Sequence, residues 1–461
     1  MNKKLGLSVF AAAIVGAAGC LALEQDRSVL IERTASVLIE NARSKGVEIG
    51  SWSVDKASDA LLLDAVRATD AATGSTLTVG KARVEFNQTM TSVPRMVLEQ
   101  GVFSLKIADE PVDIRFERAV GNDVSIAALM TGEATMKRTF VTALRIEDEE
   151  EEFRVNSLVL DGVDRNLPRH VELSGVRLQD HLIIGSTAAA PRNQIDIGSI
   201  SADFDTDSLR RALDKPVDTW DASDNALLRS FAVWDVFYRL NNSAPSSIRH
   251  VGYTGKLDPE GYPTTFDFRL DDMSAAASTI GDPGMQHILN LAGFEKLEFS
   301  VRVAGQMNRD ARTITINPAE FTLRDNFSVT ATASLGDVVL PEKTQTFNQS
   351  PDASLAGLSM TMTDKSFLSK IVRQGSRMGR MSEQEVRTTL AKGVAVQGAQ
   401  YGLDQASIEA WSKFVQSDGG SLKVDITPAA KLPLSEIFDE GSDVDLRDAF
   451  SPKFSFEPQA K

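Results

Sequence analysis

The chain has one cysteine, Cys20, in 461 residues. That excludes an internal disulfide framework and any cysteine-based metal site. Histidine is nearly as scarce: His170, His181, His250 and His287 are all there are, and no two lie within five residues. A helical pair of metal-binding imidazoles is therefore absent. Positive charge is short as well. Forty-nine Lys and Arg face 64 Asp and Glu, a net −15, and a chain that acidic lacks the cationic face on which nucleic-acid binding depends. After Leu23 no run of 18 apolar residues occurs, so no later segment spans a membrane as a helix. The Gly-x-Ser-x-Gly nucleophile signature is missing. Gly74–Lys81 has the wrong spacing for a phosphate loop, and Ala82 stands where a magnesium-binding Ser or Thr belongs. What remains, 25% charged and 42% hydrophobic, is an ordinary globular composition, which excludes a disordered, collagen-like or multispanning chain. No cofactor or metal is expected.

The first twenty residues have the layout of an export signal: Lys3 and Lys4, then the uncharged stretch from Leu5, then small residues up to Cys20. Three fates compete for it. Ala17-Ala18-Gly19-Cys20 reads as a lipobox, which makes Cys20 the lipidation candidate, although Ala17 replaces the usual leucine. Alternatively Leu5–Leu23, 19 residues, stays uncleaved as an anchor, or ordinary signal peptidase cuts near Ala22. Each fate places the rest of the chain outside the cytoplasm, in the periplasm and tethered to a membrane in the first two. Removal of the two lysines leaves 47 cations against 64 anions, −17 for the remainder.

The pattern beyond predicts an α+β fold, with extended antiparallel β-meander sheets, helical inserts and an N-terminal signal or anchor helix. Residues 24–45 read as a stalk helix, Val29, Leu30, Val37 and Leu38 recurring at helical spacing before a stop at Gly46. Residues 47–204 read as a first meander of alternating strands. Within it, the acidic run Glu147–Glu152 reads as a solvated hairpin tip. Residues 205–350 read as a helical insert followed by a second meander, the insert including a helix over Asp221–Leu240 with an aromatic stripe from Phe231, Trp234 and Phe237. Residues 351–438 read as a helical unit flanked by strands, with caps at Thr363 or Asp364, at Ser382 (opening a capping box with Glu385) and at Asp404. Residues 439–461 read as a flexible tail.

Gly46-Val47-Glu48-Ile49-Gly50, Leu61 to Val66 and Gly74 to Val84, following a membrane-entry helix, resemble the opening of AsmA-like and YdgA-like envelope proteins of Gram-negative bacteria. Leu291–Leu323 and the block Met362–Pro428 are similar to uncharacterised alphaproteobacterial proteins. The resemblance implies a long β-sheet protein of the envelope, in a group associated with lipid transport and outer-membrane homeostasis. It brings no catalytic residues.

One stretch runs against the acidity. Lys365, Lys370, Arg373, Arg377, Arg380 and Arg387 fall within 23 residues, interleaved with Phe367, Leu368, Ile371, Val372, Met378 and Met381. Such a stretch either lies on anionic headgroups or partners or is a core-facing helix whose cations pair with the chain's own acids. His170 and His181, read on neighbouring strands, have Asp180 within reach of a site. The function expected is a non-enzymatic lipid-binding or envelope-maintenance scaffold. Its partners would be a membrane through the N-terminus and lipid or envelope proteins, with no nucleic acid. A protein-interaction module of an outer-membrane or secretion assembly is the alternative, and a hydrolase the third.

Overall fold

A computed structural model describes residues 27–44, 46–69, 74–87, 92–107, 110–125, 135–147, 151–184, 187–213, 228–239, 245–258, 263–277, 286, 289, 293–338, 353–428, 433 and 450–458. The chain divides into two compact units, one of them Met1–Asp218 and the other mainly Ser243–Lys461, with residues 219–242 apportioned between them.

The first unit opens with helix α1 (Arg27–Ser44), which buries Ile31, Ala35, Ile39 and Ala42 along one face. Gly46, at φ +86°, ends it by donating its N–H to the Arg43 carbonyl at 3.1 Å, as the sequence predicts. Nine strands follow, each antiparallel to the next: β1 (Val47–Asp55), β2 (Ala60–Thr69), β3 (Thr76–Glu85), β4 (Ser92–Ile107), β5 (Glu110–Ser125), β6 (Met136–Glu147), β7 (Glu151–Val163), β8 (His170–Ile184) and β9 (Thr187–Phe204). A short helix, α2 (Thr206–Leu213), closes the unit. The acidic run does fall at a hairpin, Glu147 pairing with Glu152.

A crease crosses these strands. The register is kept across it, but a rung is missing at the same level in every pair, and two between β5 and β6, along the line Gly50, Ala65, Gly80, Gln100, Glu117, Ala143, Asn156, Gly175 and Gly198. On alternate strands the crease residue is left-handed: Ala65 (φ 51°), Gln100 (57°), Ala143 (51°) and Gly175 (58°). A residue in that region turns the chain out of pleat, so the inward positions slip by one. Apolar residues run Leu61, Leu63 then Val66, Ala68 on β2, and Val171, Leu173 then Val176, Leu178 on β8. The slip keeps one face apolar on both sides of the crease.

Strand β10 (Leu228–Arg239) occupies the described part of the span predicted as a helix, residues 221–227 and 240 lying outside the described residues. The reason is the same device. Asp235 is left-handed at φ 54°, so Phe231 and Val233 are followed by Val236 and Tyr238. The slip sets Val236 three residues after Val233 and Phe237 three after Trp234, which imitates a helical turn, while Phe231 lies on the face opposite Trp234.

In the second unit β11 (Ser246–Leu257), β12 (Pro263–Ala276), β13 (Lys296–Asn308), β14 (Thr313–Leu323), β15 (Phe327–Gly336) and β16 (Ser354–Asp364) form a second antiparallel meander. Helices α3 (Phe367–Gly379), α4 (Glu383–Gln400) and α5 (Gln405–Gln416) then precede β17 (Gly420–Pro428) and β18 (Phe450–Pro458). Two of the three caps are the predicted ones; the N-cap of α3 is Ser366, not Thr363 or Asp364, and its side chain makes no cap bond, the carboxylate of Asp364 serving the first turn instead. Asp364 Oδ1 accepts from Leu368 N at 3.0 Å, Ser382 and Glu385 close a capping box, and Asp404 Oδ1 accepts from Ser407 N at 2.7 Å. Two expectations change. The predicted boundary between residues 350 and 351 does not divide the sheet, because β15 pairs with β16 and β16 with β17, so the helices are an insert between strands and not a separate unit. The tail is not flexible throughout: Phe450–Pro458 pairs with β17 along its length, since Phe454 and Phe456 alternate toward α5 while Pro452 and Pro458 are tolerated on a strand at the end of the meander. The fold is thus mostly antiparallel β with few helices, a smaller helical share than α+β implied. The signal or anchor segment and residues 439–449 lie outside the described residues. No helix among those described is long and apolar enough to cross a membrane.

Candidate functional site

Residues opposite each other on paired strands share a face, so the registers define what each sheet presents. In the first unit one row reads Leu63, Ala82, Leu98, Ala119, Val141, Leu158, Leu173, Ile200 from β2 to β9. Across the crease a second row includes Phe103, Ile114, Ile146, Phe153, Leu178 and Ile195. Helix α1 packs on β1 and β2. Farther along, Leu158, Leu173, Ile195 and Ile200 are only partly buried, and Leu178 is 41% exposed.

The second unit repeats the arrangement. Phe268, Val303, Ala319, Ala331, Met360, Val424 and Phe454 form one row, and Leu270, Val301, Phe321, Val329, Met362, Leu422 and Phe456 the next. Helices roof one end: Trp411 stacks on Phe454 with centroids 5.6 Å apart, and Phe367 of α3 meets Phe327 at 5.1 Å. Phe268, Val303, Ala319, Ala331 and Met360 are half-buried.

The opposite faces carry charged ladders, interrupted in the first unit by the apolar row Val97, Val120, Phe140 and Val159. Asp267 accepts from Arg269 and Arg302 at 2.8 and 3.0 Å, and these two guanidiniums hold its carboxyl down to about 2. Arg324 bridges Asp272 and Glu298. Depressions on these faces, one of about 520 Å³ lined by Lys81, Arg83, Arg95 and Arg118 with Asp64 and Glu99, are polar and open to solvent. Cross-strand chemistry of this kind stabilises a sheet and does not assemble a reaction centre.

The predicted residues separate. Cys20 lies outside the described residues. The basic stretch splits in two. Lys370 turns inward, donating to Asn326 Oδ1 at 2.7 Å with its ammonium 4.7 Å from the Phe294 ring. Arg387 is buried, its side chain 6% exposed, donating to the Val415 and Ser417 carbonyls, to Ser369 Oγ and to Asp418. Lys365, Arg373, Arg377 and Arg380 are exposed. His170 and His181 share one strand, β8, and are eleven residues apart, so roughly 36 Å at about 3.3 Å per residue separates the two positions and they do not form one site. His170 instead meets Asp203 across a rung at 2.7 Å, and His250 meets Asp271 at 2.8 Å. Among the described residues no group of three or more His, Cys, Asp or Glu is placed to hold a metal. Sequence reasoning missed the Asp267 centre, and named Arg387 as a core-facing cation paired with the chain's own acids without its carbonyl partners. The first depends on register, and the second shows as an Arg amid the apolar positions of α4.

Residues 320–449 match the profile of a protein family described only as "Uncharacterized protein". No curated protein matches the chain. Among solved structures, LptH from Pseudomonas aeruginosa, described as the LptA-homologous periplasmic component of the lipopolysaccharide transport device, is similar at 14% identity. The match covers 32% of this chain and 87% of that one, with a TM-score of 0.16, too low to establish a shared fold.

Proposed function

We propose that the chain is a non-enzymatic, exported envelope protein that holds lipid acyl chains against the apolar faces of its sheets. The observation that carries this is Leu158 and Leu173 in one row, with Leu178 in the next across the crease, on β7 and β8, apolar and incompletely covered among the described residues. A contiguous apolar face on an acidic exported chain is a binding surface for something equally apolar. Acyl chains fit it because the face is long and lacks charge along its rows. The resemblance of the opening strands to AsmA-like envelope proteins supports the same reading.

The N-terminal segment would tether the protein to a membrane through Cys20 or as an uncleaved anchor. Native mass spectrometry of protein extracted from membranes tests the main proposal: lipid-sized mass increments are expected, and lipid-free protein would refute it. Labelling with a lipid precursor tests the tether, and equal labelling of wild type and Cys20→Ala would remove lipidation from the account.

A further inference from the structure

We infer that the turn joining α3 to α4 is a contact surface for a membrane containing anionic lipid. Arg373, Arg377 and Arg380 recur at four- and three-residue spacing and form one exposed stripe on α3 and its C-cap. Met378 and Met381 stand beside them, 60% and 42% exposed, while Val372 on the opposite face of the helix is fully buried. The inward half of the basic stretch, Lys370 and Arg387, is held by Asn326 and by the carbonyls after α5, so the outward guanidiniums stand on a fixed helix and not on a loose loop.

The charge argues for the occupant. On a chain of net −15 this stripe is the strongest local reversal of sign, and the rest of the surface repels the headgroups that the stripe attracts. The facing acids are Glu383 and Glu385 at the start of α4, and Glu385 is engaged by the Ser382 N–H and hydroxyl. Guanidiniums at the headgroup level with two flexible thioethers at the acyl boundary are the arrangement of an interfacial helix end. This inference does not depend on the sheet faces binding lipid, and it adds a second, peripheral contact to any N-terminal tether.

The test is sedimentation of the full chain with vesicles of phosphatidylglycerol in phosphatidylcholine, against phosphatidylcholine alone. The tether is the same in every arm, so only differences between variants count. Arg373→Gln/Arg377→Gln/Arg380→Gln should weaken binding to the anionic vesicles by on the order of 100-fold at low salt and leave binding to phosphatidylcholine unchanged. Met378→Trp should shift its emission to the blue when anionic vesicles are added. Wild-type binding indifferent to the anionic lipid, a triple variant that binds like wild type with its melting temperature preserved, or an unshifted Trp would each overturn the inference. In those cases the stripe would be left to a protein partner.

Discussion

Arg387 shows what one buried charge does here. Its partner Asp418 is 87% exposed, so the ion pair itself contributes little. The larger contribution comes from the Val415 and Ser417 carbonyls and Ser369, which tie α3, the end of α5 and the approach to β17 to a single guanidinium. Arg387→Met leaves those carbonyls unpaired and should lower stability by about 2–4 kcal/mol in urea unfolding. Arg387→Lys should recover little of it, because an ammonium cannot reach several acceptors as a planar fork does. Asp267 is a test by pH. Its carboxyl falls from 3.8 to about 2 in the folded protein, beside Arg269 and Arg302. A depressed acid stabilises the fold above its unfolded value and loses that contribution as pH falls through the folded one. Wild type should therefore lose stability between about pH 4 and pH 2, and Asp267→Asn should lack that part of the acid limb. The difference at neutral pH should be on the order of 1 kcal/mol, reduced by solvent at a partly open site, and thermal melts across the range would measure it.

At the scale of the element, the crease is the feature that shapes the first unit. A Cβ on Gly175, at φ +58°, would lie 2.1 Å from Asn156 Nδ2. Gly175→Ala should cost about 1–3 kcal/mol, and Asn156→Ala in the same chain should return the steric part and leave about 1 kcal/mol of backbone strain. Ala143→Gly, at φ 51°, should be neutral or mildly stabilising. Denaturant melts of the three variants would separate clash from strain, and equal losses for Gly175→Ala and Ala143→Gly would show that the crease imposes no conformational demand. The crease also marks how far the sequence could be followed. Alternation revealed stretches of the strands β1 to β8, and the Ser382–Glu385 box and Asp404 placed α4 and α5, because capping and pleating are local chemistry. The slip at Asp235 was illegible because alternation does not encode a left-handed residue within a strand, and its one three-residue step looks like a helical turn. Strand β18 was hidden by Pro452 and Pro458, whose meaning depends on which side of a sheet they edge. The basic stretch was visible as composition, but its division into an inward Lys370 and Arg387 and an outward stripe is a tertiary fact.

For the whole molecule, the two units present the same problem twice: a sheet with charged ladders on one face and an apolar face opposite, and helices that pack on only part of the apolar one. In the first unit α1 packs on β1 and β2; in the second, α3 and α5 cover the rows near Phe327 and Phe454. If acyl chains complete both faces, each unit holds its own share. Leu173→Asp with Leu178→Asp should then lower the lipid copurifying with the full chain by roughly half, as should Ala331→Asp with Met360→Asp, and the four together should abolish it, since sites on separate units without shared partners behave additively. Each pair sits at partly buried or exposed positions, so the fold should survive with a modest loss of stability. Lipid quantified per mole of protein gives the answer. Complete loss from either pair alone would mean one binding surface with the second unit silent. No change from any combination would mean that these faces are closed by protein, and lipid would have no place on the sheets.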